Sequence, residues 1–320
     1  MIRGNLQHSK PGIQFMFSLM IILASWLVFQ LLSILSGALI FDVGLKDIQT
    51  VMNDYENPVS IAYQKYIQSI ISTGMFIIGP LIIAMALSSD IRKYLKINFY
   101  PGHTVTFLVC QLMVLSLPMN NFFTYLNNLI DLNEVFPSAQ EYMEDMEVRA
   151  EGLFERFLSV SGIWPLLVNI FVVAVVPAVG EEVLFRGVLQ NIFIRWTKNT
   201  FLGVLITSLA FALLHFQFLS VLPRFVLGMV LGYIFVWTRS LWMPIIAHFV
   251  NNAFAVVYYY FMYNGSLGDR LENMGKPYND PAYAFLSAVI ILILLFVIRI
   301  IMKDKKSQIR SEKISEDLIP

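Results

Sequence analysis

The chain has 320 residues, 57% of them hydrophobic and 14% charged, with a formal net charge of zero and a mean hydropathy of +0.67. Soluble domains run at about 45–50% apolar and about 25% charged, so an ordinary soluble enzyme is excluded and a polytopic membrane protein is indicated. A lone cysteine, Cys110 in an apolar run, excludes a disulfide framework and a cysteine-rich zinc site.

The N-terminal stretch 1–12 carries Arg3 and Lys10 ahead of the apolar run Ile13–Ile40. That run is too long for a signal sequence and lacks a clear small-residue cleavage site, so it reads as a retained first span. A span takes about 20 mostly apolar residues. Eight stretches qualify, near 13–40, 66–87, 103–119, 163–194, 201–219, 221–238, 241–263 and 283–302. The expected fold class is therefore all-α, a polytopic membrane helix bundle of about eight transmembrane helices. Only a tight turn at Ser220–Pro223 separates the fifth stretch from the sixth. Arg3, Lys10, Arg92, Lys93, Lys96, Arg195, Lys198, Arg239 and Lys303 gather at one set of span ends. The positive-inside rule then puts both termini in the cytoplasm of a multi-pass integral membrane protein.

The chain divides into a cytoplasmic N-terminus (1–12), an N-terminal membrane region with three helices and an acidic outer loop (13–155), and a core (156–263). An outer loop with the last helix (264–302) and a polar, flexible cytoplasmic tail (303–320) complete it. The end of the acidic loop, Ser138–Leu158, reads as an amphipathic surface helix. Asp90–Tyr100 alternates Lys and Arg with Ile, Leu and Phe, which suits a position beside anionic headgroups. The lipid bilayer is thus the first expected partner. No repeat of fixed period, Gly-rich phosphate loop or nucleic-acid motif is present, so no nucleic-acid partner is expected.

Glu181-Glu182-Val-Leu-Phe-Arg186 places three ionisable residues within an apolar region. Charges at membrane depth cost a few kcal/mol each even on lenient scales, so they mark function. Glu182 and Arg186 are four apart and share a helix face, where they can neutralise each other. Glu181 is turned about 100° away and can meet another helix. His248 and Asn252 project together from a second helix, and Phe211 and His215 from a third. Pro177 and Gly180 precede the glutamates and predict a kink or break there. Arg224 reads as an interface anchor. Gly228 and Gly232, four apart, predict close helix packing.

A carboxylate beside a histidine can take a proton from water, and a second histidine with an amide can stabilise an oxyanion. Glu, His and His are also a zinc set with a fourth position for water. The residues alone leave the metal-free base and the zinc-bound water both open.

Glu181-Glu182-x-x-x-Arg186, Phe211-x-x-x-His215 and His248-x-x-x-Asn252, in this order on successive apolar helices, resemble the CPBP (Abi, CAAX-protease-like) intramembrane proteases. These are similar to the type II CAAX prenyl endopeptidases. The resemblance covers about residues 160–256, with the catalytic core in helices four to seven of the bundle. It implies a hydrolase, an intramembrane endopeptidase often labelled a metalloprotease, that acts on a membrane-associated or lipid-modified peptide or protein. It implies Glu181 as the water-activating residue with His215 as its partner, and His248 with Asn252 at the oxyanion. Glu182 and Arg186 would order the site. If a metal is present, zinc on Glu181, His215 and His248 is the implied set. The rival readings are a non-catalytic immunity or scaffold protein of the same fold, and a proton-coupled transporter.

Overall fold

The computed structural model describes residues 3–54, 57–130, 132–263, 274–277 and 280–316. Regular structure among the described residues is helical, which gives the expected all-α class. In chain order the elements are α1 (Pro11–Ile40), α2 (Ile48–Asn53), α3 (Pro58–Leu87) and α4 (Ile91–Tyr94). Next come α5 (His103–Leu115), α6 (Leu117–Asn127), α7 (Pro137–Leu158) and α8 (Ile163–Thr197). The chain continues with α9 (Thr200–Leu213), α10 (Val221–Thr238), α11 (Trp242–Tyr263) and α12 (Pro281–Glu316).

Six of these segments are long and apolar enough to cross a membrane: Pro11–Ile40, Pro58–Leu87, Ile163–Thr197, Phe218–Thr238, Trp242–Met262 and Pro281–Lys305. A seventh counts if α5 and α6, bent by 44° at their junction, are one span. The stretch read as a span at 201–219 is α9, of 14 residues. At 1.5 Å per residue it reaches about 21 Å, short of a hydrocarbon core of about 30 Å. The turn after it lies at 214–217, earlier than the expected Ser220–Pro223, because Phe218–Ser220 forms a 3₁₀ turn that leads into α10. The tail expected to be flexible continues α12 as far as Glu316. Residues 303–316 lack Gly and Pro and are rich in Lys, Glu, Gln and Arg, so nothing interrupts the helix. Residues 317–320, and Asp131 and Arg270 of the outer loops, lie outside the described residues.

The core forms two clusters. Leu184, Phe185, Val188 and Ile192 of α8 pack with Ile83 and Leu87 of α3, Phe211 of α9 and Phe235 of α10. Val105, Val109 and Leu112 of α5 pack with Leu231 and Ile234 of α10, Ala247 of α11, and Ile291 and Ile298 of α12. The outer face of α1, with Met16, Met20, Leu23, Leu27 and Leu31, stays exposed, as a lipid-facing helix requires.

α8 holds a surprise. It runs as one 35-residue segment, with no break at Pro177 or Gly180. Wider, π-helical turns at Ile170–Val175 and Val183–Leu189 flank the α-helical turn Val176–Glu182. The turn at 170–175 comes just before Pro177, and the Val173 carbonyl, four residues before that proline, accepts from Asn252 Nδ2 at 3.2 Å. Gly180 serves packing instead, since a Cβ added there would lie 2.7 Å from the Phe76 side chain. Gly228 likewise lets α10 approach α9, where an added Cβ would lie 3.1 Å from the Ser208 Cα.

Candidate active site

Glu181 and Glu182 end the α-helical turn of α8, between its two wider turns. Such turns often accompany functional sites because they rotate neighbouring side chains out of regular register. Here they send the two carboxylates to different places. Glu182 is fully buried, while Glu181 lines a cavity of about 390 Å³.

Around Glu182 the charge-assisted bonds converge on Oε1, while Glu182 Oε2 and Arg186 Nε have no hydrogen-bond partner among the described residues. Arg186 Nη1 donates to Glu182 Oε1 at 2.7 Å, and Arg186 Nη2 donates to the Gly228 carbonyl at 3.1 Å. The close approach at Gly228 brings that carbonyl within reach. The Arg186 guanidinium also lies 4.7 Å over the Phe211 ring. The expected i, i+4 pair is therefore formed. Sequence reading missed a third member: His248 Nδ1–H donates to the same Glu182 Oε1 at 2.9 Å. One carboxylate thus fixes both Arg186 and the ring of His248.

His215 lies just past the end of α9, in the turn rather than within a helix. Its Nδ1–H donates to the Phe211 carbonyl at 2.7 Å. Phe211 packs edge-on against His215 and His248, with centroids at 4.9 and 5.9 Å, and against Phe185 at 5.2 Å. This phenylalanine is the apolar floor on which both histidines rest, a role that the motif spacing could have signalled.

With both Nδ1 atoms acting as donors, each neutral ring presents a bare Nε2. Both point at Glu181 Oε2, from 3.8 Å for His215 and 4.0 Å for His248. These separations exceed a direct hydrogen bond. Glu181 Oε2 itself has no hydrogen-bond partner among the described residues. Asn252 lines the same cavity. It donates to the Val173 carbonyl at 3.2 Å and accepts from Asn251 at 3.1 Å, which leaves one amide N–H uncommitted. Glu181, His215, His248 and Asn252 are therefore brought to one cavity, and Glu182 and Arg186 lie behind it.

Arg224 is not an interface anchor. It lines the cavity and binds the connection that carries His215. Its Nη1 donates to Ser220 Oγ at 2.6 Å, and its Nη2 to Gln217 Oε1 at 2.5 Å. The acidic helix α7 reaches the same connection. Glu147 of α7 is buried, accepting from Ser220 Oγ at 2.6 Å and from the Leu219 N–H at 3.3 Å. Asn127, at the end of α6, donates to the Phe218 carbonyl and accepts from the Leu222 N–H. The other end of α7 is tied down by Lys65 and Asn169, which both donate to the Phe157 carbonyl, at 2.8 and 2.7 Å. So α7 is an amphipathic surface helix as expected, with one buried carboxylate reaching the site.

A zinc set needs donors 2.0–2.2 Å from one point, hence roughly 3.3 Å from each other in a tetrahedron. Glu181, His215 and His248 stand wider than that. No group of three or more His, Cys, Asp or Glu among the described residues has metal-holding geometry.

Comparison with known proteins matches this same segment. Residues 163–254 fit the family model described as type II CAAX prenyl endopeptidase Rce1-like. The membrane-embedded CAAX protease MroQ of Staphylococcus aureus is 31% identical over 94 residues, 28% of this chain and 38% of that protein. The uncharacterized protein YpbD of Bacillus subtilis is 40% identical over 80 residues, 24% of this chain and 38% of that protein. The chain thus spans well under half the length of these curated relatives. No solved structure matches. Residues 163–254, which contain all three motifs, are thus the part of the chain that is similar to the Rce1-like type II CAAX prenyl endopeptidases.

Proposed function

We propose that the protein is an intramembrane endopeptidase that hydrolyses a peptide bond of a membrane-associated or lipid-modified peptide or protein. One observation carries this reading: two bare histidine nitrogens converge on a partnerless carboxylate oxygen in a cavity among apolar helices. Gaps of 3.8 and 4.0 Å between acceptors suit a water that donates one hydrogen to Glu181 and the other to His215 Nε2. Glu181 takes the water's proton as its oxygen attacks the scissile carbonyl carbon. Negative charge then develops on the carbonyl oxygen. The free amide N–H of Asn252 faces that charge, beside the His248 ring on the wall of the same cavity. Glu182, accepting from His248 Nδ1–H, holds that ring in place. Glu181 returns its proton to the leaving amine as the C–N bond breaks, which completes the hydrolysis.

Zinc on Glu181, His215 and His248 is the second reading. Anchoring of both Nδ1–H groups by acceptors favours it, because metal-bound histidines are held that way. The donor spacing counts against it, and no step above needs it. The test is cleavage of a peptide library by the purified full-length protein, with and without chelator, beside Glu181→Ala. Cleavage that survives chelation and vanishes in Glu181→Ala supports the glutamate reading. Full activity in Glu181→Ala overturns it. An immunity or scaffold protein would instead keep its protection or complex formation after loss of Glu181, His215 and His248 together. A proton-coupled transporter would show substrate-dependent proton flux in liposomes.

A further inference from the structure

At the end of α8 far from α7, two cavities of about 410 and 400 Å³ share Lys96 and Arg239 in their walls. Arg195 and Thr200 add to the first, and Lys93, Lys305 and Trp237 to the second. Neither shares a residue with the Glu181 cavity. The cations come from separate parts of the chain: the connection around α4, the end of α8, the α10–α11 turn, and α12. No Asp or Glu lines either cavity, and none of these cations makes an ion pair among the described residues.

The arrangement is built rather than a loose basic surface. Lys96 sits at φ +56°, its carbonyl accepts from the Leu241 N–H at 3.0 Å, and its Nζ lies 4.1 Å over the Phe235 ring. Burial, with Arg239 nearby, lowers its pKa to about 8. Tyr94, whose buried hydroxyl lies beside Arg195, lines the first cavity. Thr200 opens the 14-residue α9, whose first turn carries the positive end of the helix dipole; Asn199 Oδ1 caps its Leu202 N–H, and the N–H groups of Thr200 and Phe201 precede that cap. Clustered cations without carboxylates, beside a helix N-terminus, select an anion with several acceptor oxygens.

The level within the bundle indicates the source of that anion. Trp237 lines the second cavity, and Trp242 donates its indole N–H to the Ile97 carbonyl at 3.0 Å. Trp196 and Trp242 are 50% and 43% exposed. Exposed tryptophans at the ends of apolar helices mark headgroup depth. We propose that this basic cavity binds the phosphate of an anionic lipid headgroup through Lys96, Arg195 and Arg239, with the first turn of α9 as a further donor. Basic pockets between membrane helices take such headgroups in general.

The test uses the purified full-length protein in micelles, probed with phosphatidylglycerol, phosphatidylcholine and inorganic phosphate. Native mass spectrometry counts retained lipid, and the thermal midpoint reports stabilisation. Phosphatidylglycerol is expected to bind in preference to phosphatidylcholine, and to weaken about tenfold in Arg239→Gln, or about 1.4 kcal/mol. Arg239 is exposed, so this variant leaves the packing intact; Lys96→Gln should weaken binding further and Lys96→Arg should restore it. Equal retention by wild type and the Lys96→Gln/Arg239→Gln double variant would overturn the site. Inorganic phosphate that protects as well as phosphatidylglycerol, at matched phosphate, would overturn the lipid assignment.

Discussion

Glu182 and Arg186 offer a sharp energetic test, because both side chains are fully buried and joined at 2.7 Å. Glu182→Leu leaves the guanidinium without its carboxylate, and Arg186→Met leaves the carboxylate with only His248. Breaking a buried pair by removing one partner costs about 3–5 kcal/mol. Each single variant should therefore lose a large part of a total stability of about 5–15 kcal/mol. The double variant Glu182→Leu/Arg186→Met buries no unpaired charge. Its remaining cost is the orphaned His248 Nδ1–H, at about 1–3 kcal/mol, because the Gly228 carbonyl keeps its helical partner within α10. The double should thus lose about 1–3 kcal/mol, against a sum of about 6–10 for the singles, a coupling of several kcal/mol. Denaturant unfolding of the four proteins in one detergent measures the cycle. Additivity within about 0.5 kcal/mol would refute the paired unit. Proteolytic activity should stay lost in the double variant even where stability recovers, because the His248 ring no longer has an acceptor to hold it.

Other outcomes follow from the same geometry. Gly180→Ala should destabilise by about 1–3 kcal/mol, read as a lower thermal midpoint, because its Cβ would lie 2.7 Å from Phe76. Glu147→Ala removes the carboxylate that holds Ser220 and Leu219, so kcat should fall while the bundle stays folded. Glu147→Gln, which keeps an acceptor, should recover part of that loss. Asn252→Ala should lower kcat about 10²–10³-fold with little change in KM, as loss of one oxyanion donor does.

Much of this was readable in the sequence, for physical reasons. Apolar runs near span length identify membrane helices directly, and four-residue spacing put Glu182 with Arg186 on one face. The same spacing gave His248 with Asn252, although it could not say that His248 would reach back to Glu182. That contact joins residues 66 apart in sequence and depends on how α8 and α11 cross. The grip of Glu147 on the connection after α9 is hidden for the same reason, since an acidic amphipathic helix looks alike whether or not one carboxylate is buried. Pro177 and Gly180 suggested a break because each residue weakens a helix, yet the helix runs on through both. A wider turn beside Pro177 and a close neighbour for Gly180 gave both residues other tasks. Arg224 misled because its position at a helix start suits an anchor, while its partners Gln217 and Ser220 lie in an irregular turn.

The most direct measurement is single-turnover cleavage by Glu181→Gln, a substitution that keeps the side-chain shape and removes the base. Its thermal midpoint should match wild type, because Glu181 makes no hydrogen bond through Oε2. Its cleavage rate should fall about 10²–10⁴-fold. A folded Glu181→Gln protein that cleaves at the wild-type rate would contradict the role assigned to Glu181.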